Sequence, residues 1–325
     1  MAEQGSDGGV KLDARTIPWP RSISPAAAAM LQAAHAMPGR TMPPASDKES
    51  WRKVIAATDA MLGQYSPEPG DSGTTVETIA IAGLTCYRAQ PAGHAASDRR
   101  LYFDIHGGGL VFGAGDFCRL GAVRVADLYQ VETIAVDYRM PPDHPYPTPL
   151  DDCLAVYTAL VAEYGAENIV VGGSSAGGNL AAALMLRARD AGLPMSAGLV
   201  LLTPEVDLTE SGDSFEILLG LDPVLKSRLT ESIALYADGH SLDDPYLSPL
   251  FGDLTGFPPT LLQTGTRDLF LSNTVRMHRR LREAGVAAEL HVFEAMPHGS
   301  FSGAPEDAQM HRELRDFAAR CWNAC

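Results

Sequence analysis

The serine at position 175 has the neighbours that make a hydroxyl group a nucleophile. It is the third residue of the G-x-S-x-G pattern Gly173–Gly177, which follows the apolar run NIVVGG and precedes a helical stretch starting near Ala176. A serine on such a strand-to-helix turn is held out of the strand, between small residues that avoid a clash. The helix N-terminus and the amide of Ala176 favour negative charge on a tetrahedral intermediate. The pattern therefore predicts Ser175 as the nucleophile of an acyl transfer.

The same glycine-rich turn has an alternative interpretation as a phosphate-binding loop. The segment GGSSAGG follows a strand, as dinucleotide-binding loops do. It lacks the G-x-G-x-x-G spacing, however, and no matching acidic residue is evident at the end of the next strand. We therefore favour the nucleophile over the phosphate loop.

A second loop, His106-Gly107-Gly108-Gly109, follows the strand-like run RLYFDI. Each glycine costs about 0.5 to 1 kcal/mol relative to alanine, so we infer that a close backbone approach requires them. The amides of Gly107 and Gly108 are predicted to form an oxyanion hole with that of Ala176, and a flexible turn is the alternative. Because His106 precedes the serine in the chain, we predict that it anchors the loop through hydrogen bonds and is not the base.

A serine nucleophile needs a base to take its proton and an acid to orient that base. Of the nine histidines, His298 is the candidate base, because it follows the last strand-like run in the loop MPHG. Asp268 lies just past the strand-like run TLLQTG and is the candidate acid. The order Ser175, Asp268, His298 is the one expected of a nucleophile elbow of this kind. Asp207, after the run GLVLLTP, is the alternative acid.

The N-terminal segment differs from the rest of the chain in amino-acid composition and in predicted secondary structure. Residues 1 to about 75 are rich in Ala, Pro and Met and are predicted to hold two helices. One starts at Pro25, and the other starts near Asp47 with Ser46 as its cap. No convincing strand is predicted before residue 76.

Residues 76–325 are predicted to form the catalytic domain. Seven to eight short apolar runs alternate there with helical periods, one of them capped by Ser272 and ended by Gly285. This alternation indicates an α/β fold with a mostly parallel sheet and helices on both faces. Residues 206 to about 245 interrupt this alternation, because they are predicted to form helix without an intervening strand. With the N-terminal segment, this excursion is predicted to cap the C-terminal edge of the sheet.

Composition excludes several classes of function. The 325 residues carry 25 basic and 40 acidic side chains, a net charge of −15, so we expect no binding of nucleic acid or of an anionic membrane. No apolar run reaches about 18 residues and the start of the chain lacks a signal-peptide pattern, which predicts a cytoplasmic protein without a membrane span. The five cysteines have no C-x-x-C spacing, so neither a disulfide framework nor a metal site is predicted.

Taken together, these motifs resemble those of the hormone-sensitive-lipase-like family of α/β-hydrolase esterases. They occur in the family's order over about residues 76 to 322. The matching segments are HGGGLVFG from His106, DYRMPPDHPYP from Asp137, GSSAGG from Gly173, DPYLSPL from Asp244, GTRDLFLS from Gly265 and MPHGSF from Met296. Two positions depart from the usual family pattern: Ser174, where many members carry Asp or Thr, and Glu205, where many carry an aromatic residue.

The resemblance implies an eight-stranded sheet, a helical cap, and neither a metal nor an organic cofactor. It implies hydrolysis of short-acyl esters, acetylated small molecules or small lactones through an acyl-enzyme on Ser175. It also implies a homodimer formed through the last strand and helix. Two other functions stay open at this point: a non-catalytic receptor for small molecules on the same fold, and an amidase or peptidase.

Overall fold

The computed structural model describes residues 3–4, 10–65 and 72–324, and an eight-stranded sheet forms its centre. The strands are β1 (Thr75–Ile81), β2 (Leu84–Gln90), β3 (Leu101–Ile105), β4 (Glu132–Val136), β5 (Ile169–Ser174), β6 (Gly198–Leu202), β7 (Thr260–Gly265) and β8 (Ala288–Phe293). Their order across the sheet is β8-β7-β6-β5-β3-β4-β2-β1. Strand β2 is antiparallel to both its neighbours, and the other pairs are parallel. The predicted mostly parallel sheet is confirmed.

Helices cover both faces of this sheet. The helices are α1 (Pro25–Ala36), α2 (Lys48–Tyr65), α3 (Asp116–Tyr129), α4 (Thr148–Tyr164), α5 (Ala176–Asp190), α6 (Ser214–Ile217), α7 (Thr230–Ala237), α8 (Leu271–Glu283) and α9 (Pro305–Asn323). Because successive strand residues point to opposite faces, Leu101 and Phe103 of β3 join the core that contains α4, α5 and α8, whereas Tyr102 joins the core that contains α9. Burial on both faces explains why the central strands are nearly continuous apolar runs.

The structure corrects two predicted helix caps. Helix α2 starts one residue after Asp47, whose Oδ1 accepts the amide of Ser50 at 3.1 Å, so Asp47 and not Ser46 is the cap. Helix α8 starts one residue before Ser272, so the prediction of Ser272 as its cap is wrong. The Ser272 hydroxyl instead accepts the amide of Ser214, at the start of α6, at 2.9 Å. The local sequence assigns Ser272 as a cap, but its hydroxyl instead binds Ser214, a residue distant in the chain.

The N-terminal segment contains the two predicted helices, α1 and α2, but it also contains a short pair of strands. Glu3–Gln4 pairs antiparallel with Val10–Lys11, so the prediction of no strand before residue 76 is wrong. Two-residue strands are too short to show an alternating pattern in the sequence. Strand β1 also starts within this segment, at Thr75.

Each N-terminal helix packs on a different part of residues 76–325. Ala27 and Leu31 of α1 are buried in the same core as Met296, on the loop after β8. Trp51 of α2 is fully buried in a cluster with Val111, four residues after Gly107, and with Leu235 of α7. The N-terminal segment therefore contacts both the glycine-rich loop and the excursion.

The excursion between β6 and β7 contains α6, α7 and a 3₁₀ turn at Pro249–Phe251, with no strand among its described residues. It leaves the sheet at the C-terminal end of β6 and returns at the start of β7. None of the helices in the described part of the chain combines the length and apolarity needed to cross a bilayer.

Candidate active site

Ser175 lies at the sharp turn between β5 and α5, where its φ of 58° and ψ of −121° are strained for a residue with a side chain. Its amide donates to the carbonyl of Leu202 at 2.8 Å, and its own carbonyl accepts the amide of Asn179 at 3.1 Å. A Cβ atom at Gly177 would lie 1.9 Å from the carbonyl oxygen of Ile105, so only glycine fits there. Ser175 is half-buried, so part of the residue is open to solvent.

The glycine-rich loop lies directly against this serine. A Cβ atom at Gly107 would lie 2.6 Å from the carbonyl oxygen of Ser174 and 3.4 Å from Cβ of Ser175, so the approach requires glycine. Within the described residues, the amides of Gly107, Gly108 and Ala176 donate no hydrogen bond. Three backbone donors are thus available beside one hydroxyl group, as an oxyanion hole requires. We call residues 106–109 the oxyanion loop.

His106 holds the base of the oxyanion loop. Its ring stacks on Tyr138 with 4.1 Å between centroids and an interplanar angle of 8°. Its Nδ1 lies 2.8 Å from the carbonyl oxygen of Gly107, and the Tyr138 hydroxyl donates to the His106 carbonyl at 2.8 Å. Burial lowers the pKa of His106. A histidine held by these contacts can fix the loop, and the role of His106 as loop anchor stays a prediction.

Asp268 and His298 form a buried pair at the C-terminal ends of β7 and β8. Nδ1 of His298 lies 3.0 Å from Oδ1 of Asp268, which is fully buried. The carboxylate also accepts the amide of Phe270 at 2.9 Å and the hydroxyl of Thr264 at 2.6 Å. Because these two donors fix the carboxylate, it in turn fixes the tautomer and the plane of the imidazole ring. The parallel strands bring this pair to the same edge of the sheet as Ser175.

The electrostatic surroundings of His298 make it a stronger base than usual. Burial alone would lower its pKa, but the charge and the hydrogen bond of Asp268, together with the charge of Asp222, raise it above the ordinary value. The imidazolium formed when His298 takes a proton is therefore stabilised by two carboxylates. This is the electrostatic requirement of a general base that works on a serine hydroxyl.

Asp222 is a site residue that sequence reasoning missed. Its Oδ2 accepts the amide of Leu269 at 2.9 Å and the amide of His298 at 3.3 Å, so it ties the loops after β7 and β8 together. Its Oδ1 accepts the amides of Val224 and Leu225. Burial, opposed in part by the charge of His298, raises the pKa of Asp222. A lone acid in the apolar stretch GLDPVL was the only available signal, and no spacing rule links it to positions 47 and 76 residues away.

Asp207, the alternative acid, is engaged elsewhere. Its carboxylate accepts the guanidinium of Arg276 at 2.6 Å and the hydroxyl of Ser211 at 2.8 Å. Although burial opposes it, hydrogen bonds from Thr209, Ser211 and Arg276 lower the pKa of Asp207. The geometry thus brings Asp268, and not Asp207, to His298.

Glu205 is a buried carboxyl group next to the nucleophile turn. Its amide donates to the carbonyl of Ser175 at 3.1 Å, and its side chain is 1% exposed. Neither carboxyl oxygen has a hydrogen-bond partner among the described residues. Burial, and then the charge of Glu210, raise its pKa to about 8. Glu205 is therefore mostly protonated at neutral pH, which avoids the larger cost of an isolated buried charge.

Known proteins share this fold and are similar in sequence over most of the chain. A family described as having the alpha/beta hydrolase fold matches residues 102–302. The chain belongs to this family. An esterase of Acinetobacter venetianus is 33% identical over 256 residues, which cover 77% of this chain and 84% of that protein.

Two solved structures extend the likeness to the whole fold. The esterase E25 superposes with a TM-score of 0.85 at 35% identity, covering 95% of this chain and 97% of its own. A hormone-sensitive lipase from a metagenome library superposes with a TM-score of 0.82 at 28% identity, covering 91% and 98%. Within the alpha/beta hydrolases, the chain is therefore a member of the hormone-sensitive-lipase-like esterases, as its motifs indicate.

Proposed function

We propose that this hydrolase is a serine carboxylic-ester hydrolase with Ser175, Asp268 and His298 as its catalytic triad. The observation that carries the proposal is the buried Asp268–His298 pair, 3.0 Å apart, on the sheet edge where the strained Ser175 lies. The similarity to enzymes named esterases supports the same chemistry.

In the first half of the reaction, the Ser175 hydroxyl oxygen attacks the ester carbonyl carbon while His298 takes the hydroxyl proton. The carbonyl oxygen becomes negative and accepts hydrogen bonds from the free amides of the oxyanion loop and of Ala176. Each such donor contributes about 2.7 to 4 kcal/mol to transition-state stabilisation. Collapse of the intermediate breaks the bond to the alcohol oxygen, which leaves with the proton from His298.

In the second half, a water molecule attacks the acyl group on Ser175 and gives its proton to His298. The second tetrahedral intermediate uses the same amides, and its collapse releases the carboxylic acid and returns the proton to Ser175. Asp268 stays ionised throughout and stabilises the imidazolium of His298. No step requires a metal or an organic cofactor.

Short-acyl esters and small lactones are the proposed substrates, because the cap lies close over the oxyanion loop. A Cβ atom at Gly109 would lie 3.7 Å from Leu229 and 3.9 Å from the Ser232 hydroxyl, both at the start of α7. With Trp51 of α2 packed against Val111, these contacts support residues 1–75 and 206–245 as the two parts of the cap. A cap at this position limits the length of the acyl chain and keeps water from the acyl-enzyme.

A non-catalytic receptor and an amidase are the competing functions. A non-catalytic receptor would not need a buried acid that orients His298, so the presence of Asp268 argues against the receptor. Nothing in the described site recognises the amine that an amidase must release, so we place esters first.

A cytoplasmic location and a homodimeric state are also proposed for the enzyme. Buried free thiols at Cys86, Cys118 and Cys153 suit the reducing cytoplasm. A homodimer through β8 and α9 is testable by the concentration dependence of the molecular mass in light scattering. The net charge of −15 disfavours nucleic acid as a partner.

Hydrolysis of a panel of p-nitrophenyl esters and lactones, by the natural chain and by Ser175→Ala, tests the proposal. The natural chain should favour short acyl groups, and the variant should retain its circular dichroism spectrum but lose turnover. Ser174→Ala, next to the nucleophile, is the matched control and should stay active. Turnover of the panel by Ser175→Ala near the natural rate would reject Ser175 as the nucleophile.

A further inference from the structure

Three side chains that can bind a metal meet behind the oxyanion loop. They come from separate elements: His106 follows β3, Cys118 lies in α3, and Asp137 follows β4. One ring nitrogen, the thiol sulfur and one carboxylate oxygen all lie within 4.8 Å of one another. We propose that they form an inhibitory binding site for a Zn²⁺-type divalent cation, distinct from the catalytic triad.

The hydrogen bonds of His106 are those of a metal ligand. Its Nδ1 lies 2.8 Å from the carbonyl oxygen of Gly107, which can only accept, so in the neutral ring the proton is on Nδ1. The lone pair is then on Nε2, which is buried and has no hydrogen-bond partner among the described residues. Metal-ligating histidines almost always donate their other ring N–H to a carbonyl or a carboxylate in this way.

The other two donors complete a zinc-type set. Asp137 is oriented by the amide of Gly115, which donates at 3.2 Å, and by the hydroxyl of Tyr87, also at 3.2 Å. The thiol of Cys118 donates a hydrogen bond to the carbonyl oxygen of Val136 at 3.6 Å, and this bond would be lost when the thiol ionises to bind a metal. Nitrogen, thiolate and carboxylate together are ligands that Zn²⁺ accepts and that Mg²⁺ or Ca²⁺ would not select. Binding would release the thiol proton of Cys118 to solvent.

A cavity reaches this cluster at Asp137. It has a volume of about 380 Å³ and is also lined by Asp59 and Tyr138. Its two cationic lining residues, Arg52 and Arg139, are ion-paired with Asp143 and Asp152, so the charges of Asp59 and Asp137 are left to attract a cation. A water molecule from the cavity can fill the fourth position of a tetrahedral site.

Binding at this site would disturb the oxyanion hole. Bonds of about 2.0 to 2.3 Å place tetrahedral ligands roughly 3.3 to 3.8 Å apart, so donors up to 4.8 Å apart must move inward. His106 is bonded directly to Gly107, whose amide is one of the proposed oxyanion donors. Movement of His106 toward the metal therefore displaces that donor. Loss of one oxyanion-hole donor lowers kcat by about 100- to 1000-fold, so a bound cation should inhibit the enzyme by lowering kcat.

Cadmium titration of the full chain tests the site, because a Cd²⁺–thiolate bond gives an ultraviolet charge-transfer band whether or not the protein is active. After chelator treatment, we expect one equivalent of Cd²⁺ to produce the band. Cys118→Ala should abolish the band and weaken binding by about tenfold or more. Cys153→Ala, which removes an equally buried thiol from α4, and His298→Ala should both retain the band. A band that persists in Cys118→Ala, or no band in the natural chain, would place the cation elsewhere and overturn the proposal.

Inhibition by Zn²⁺ should follow the same residue. Zn²⁺ should lower kcat in the natural chain and in Cys153→Ala, whereas Cys118→Ala and Cys118→Ser should hydrolyse esters normally and resist the cation by about tenfold or more. X-ray absorption spectroscopy of the natural chain loaded with Zn²⁺ identifies the atoms bound to the metal without any variant. We expect one sulfur together with nitrogen and oxygen ligands. A first shell without sulfur, or equal inhibition of all variants, would refute the site.

Discussion

Replacing Glu205 by Gln should remove a strong dependence of stability on pH. The carboxyl group is 1% exposed, and burial with the charge of Glu210 raises its pKa from 4.5 to about 8. Gln has nearly the same shape and cannot ionise. The variant therefore isolates the cost of the charge from the cost of the side chain's packing.

The size and sign of the effect follow from proton linkage. Between pH 4.5 and about 8 the folded chain keeps the proton of Glu205 and the unfolded chain releases it, so the free energy of unfolding falls as pH rises. At about 1.36 kcal/mol for each pKa unit, the shift corresponds to roughly 5 kcal/mol lost by pH 9, as an upper bound. Glu205→Gln should match the natural chain near pH 5 and exceed it by several kcal/mol near pH 9.

Urea unfolding of both proteins at pH 5 and pH 9, monitored by tryptophan fluorescence with refolding checked, gives the required difference. Glu283→Gln, at an exposed position in α8, is the matched control, and its curves should follow those of the natural chain at both pH values. A difference between Glu205→Gln and the natural chain that is the same at pH 5 and at pH 9 would refute a neutral, buried Glu205.

Four further predictions address the site and its cap. Asp268→Asn should lower kcat by about 10⁴-fold, as expected when the base loses its orienting carboxylate, whereas Asp207→Asn should cost far less; the reverse ranking in folded variants would move the acid to Asp207. The natural kcat/KM should rise with pH through an apparent pKa above about 6.5, because His298 must be neutral to accept the serine proton and its pKa is raised, and a flat profile from about pH 5 to 9 would contradict this. Asp222→Asn removes one of the charges that raise the pKa of His298, so the rise of kcat/KM should occur at lower pH and thermal stability should fall. A rise at the same pH as in the natural chain would assign Asp222 a structural role alone. Deletion of residues 1–45, which removes α1, should change the ratio of rates on an acetate and a bulkier ester, and an unchanged ratio with unchanged thermal stability would exclude this part of the segment from the cap.

Local pattern predicted the elements that carry the site. Apolar runs that alternate with helical periods are enough to indicate a parallel sheet, because burial on both faces demands them. The helix starts were less accurate, since Asp47 and Ser46 are equally good caps by type, and Ser272 was assigned by type alone. Its hydroxyl is used by Ser214, a contact between residues 58 positions apart that no local rule contains.

Contacts between distant segments are what the sequence could not supply. Asp222 reaches His298 across 76 positions, because the excursion folds back over the ends of β7 and β8. His106, Cys118 and Asp137 likewise meet only because β3, α3 and β4 pack together. Their spacing in the chain resembles no metal motif, and for this reason the sequence predicted no metal site.

Covalent trapping at the nucleophile tests the central claim most directly. The chain is incubated with a fluorophosphonate ester and examined by intact mass and by peptide mapping, with Ser174→Ala and Ser175→Ala alongside. We expect one adduct per chain, on Ser175, in the natural chain and in Ser174→Ala, with esterase activity lost in step with labelling, and no adduct in Ser175→Ala. An adduct on another residue, or full labelling of Ser175→Ala, would contradict Ser175 as the catalytic nucleophile.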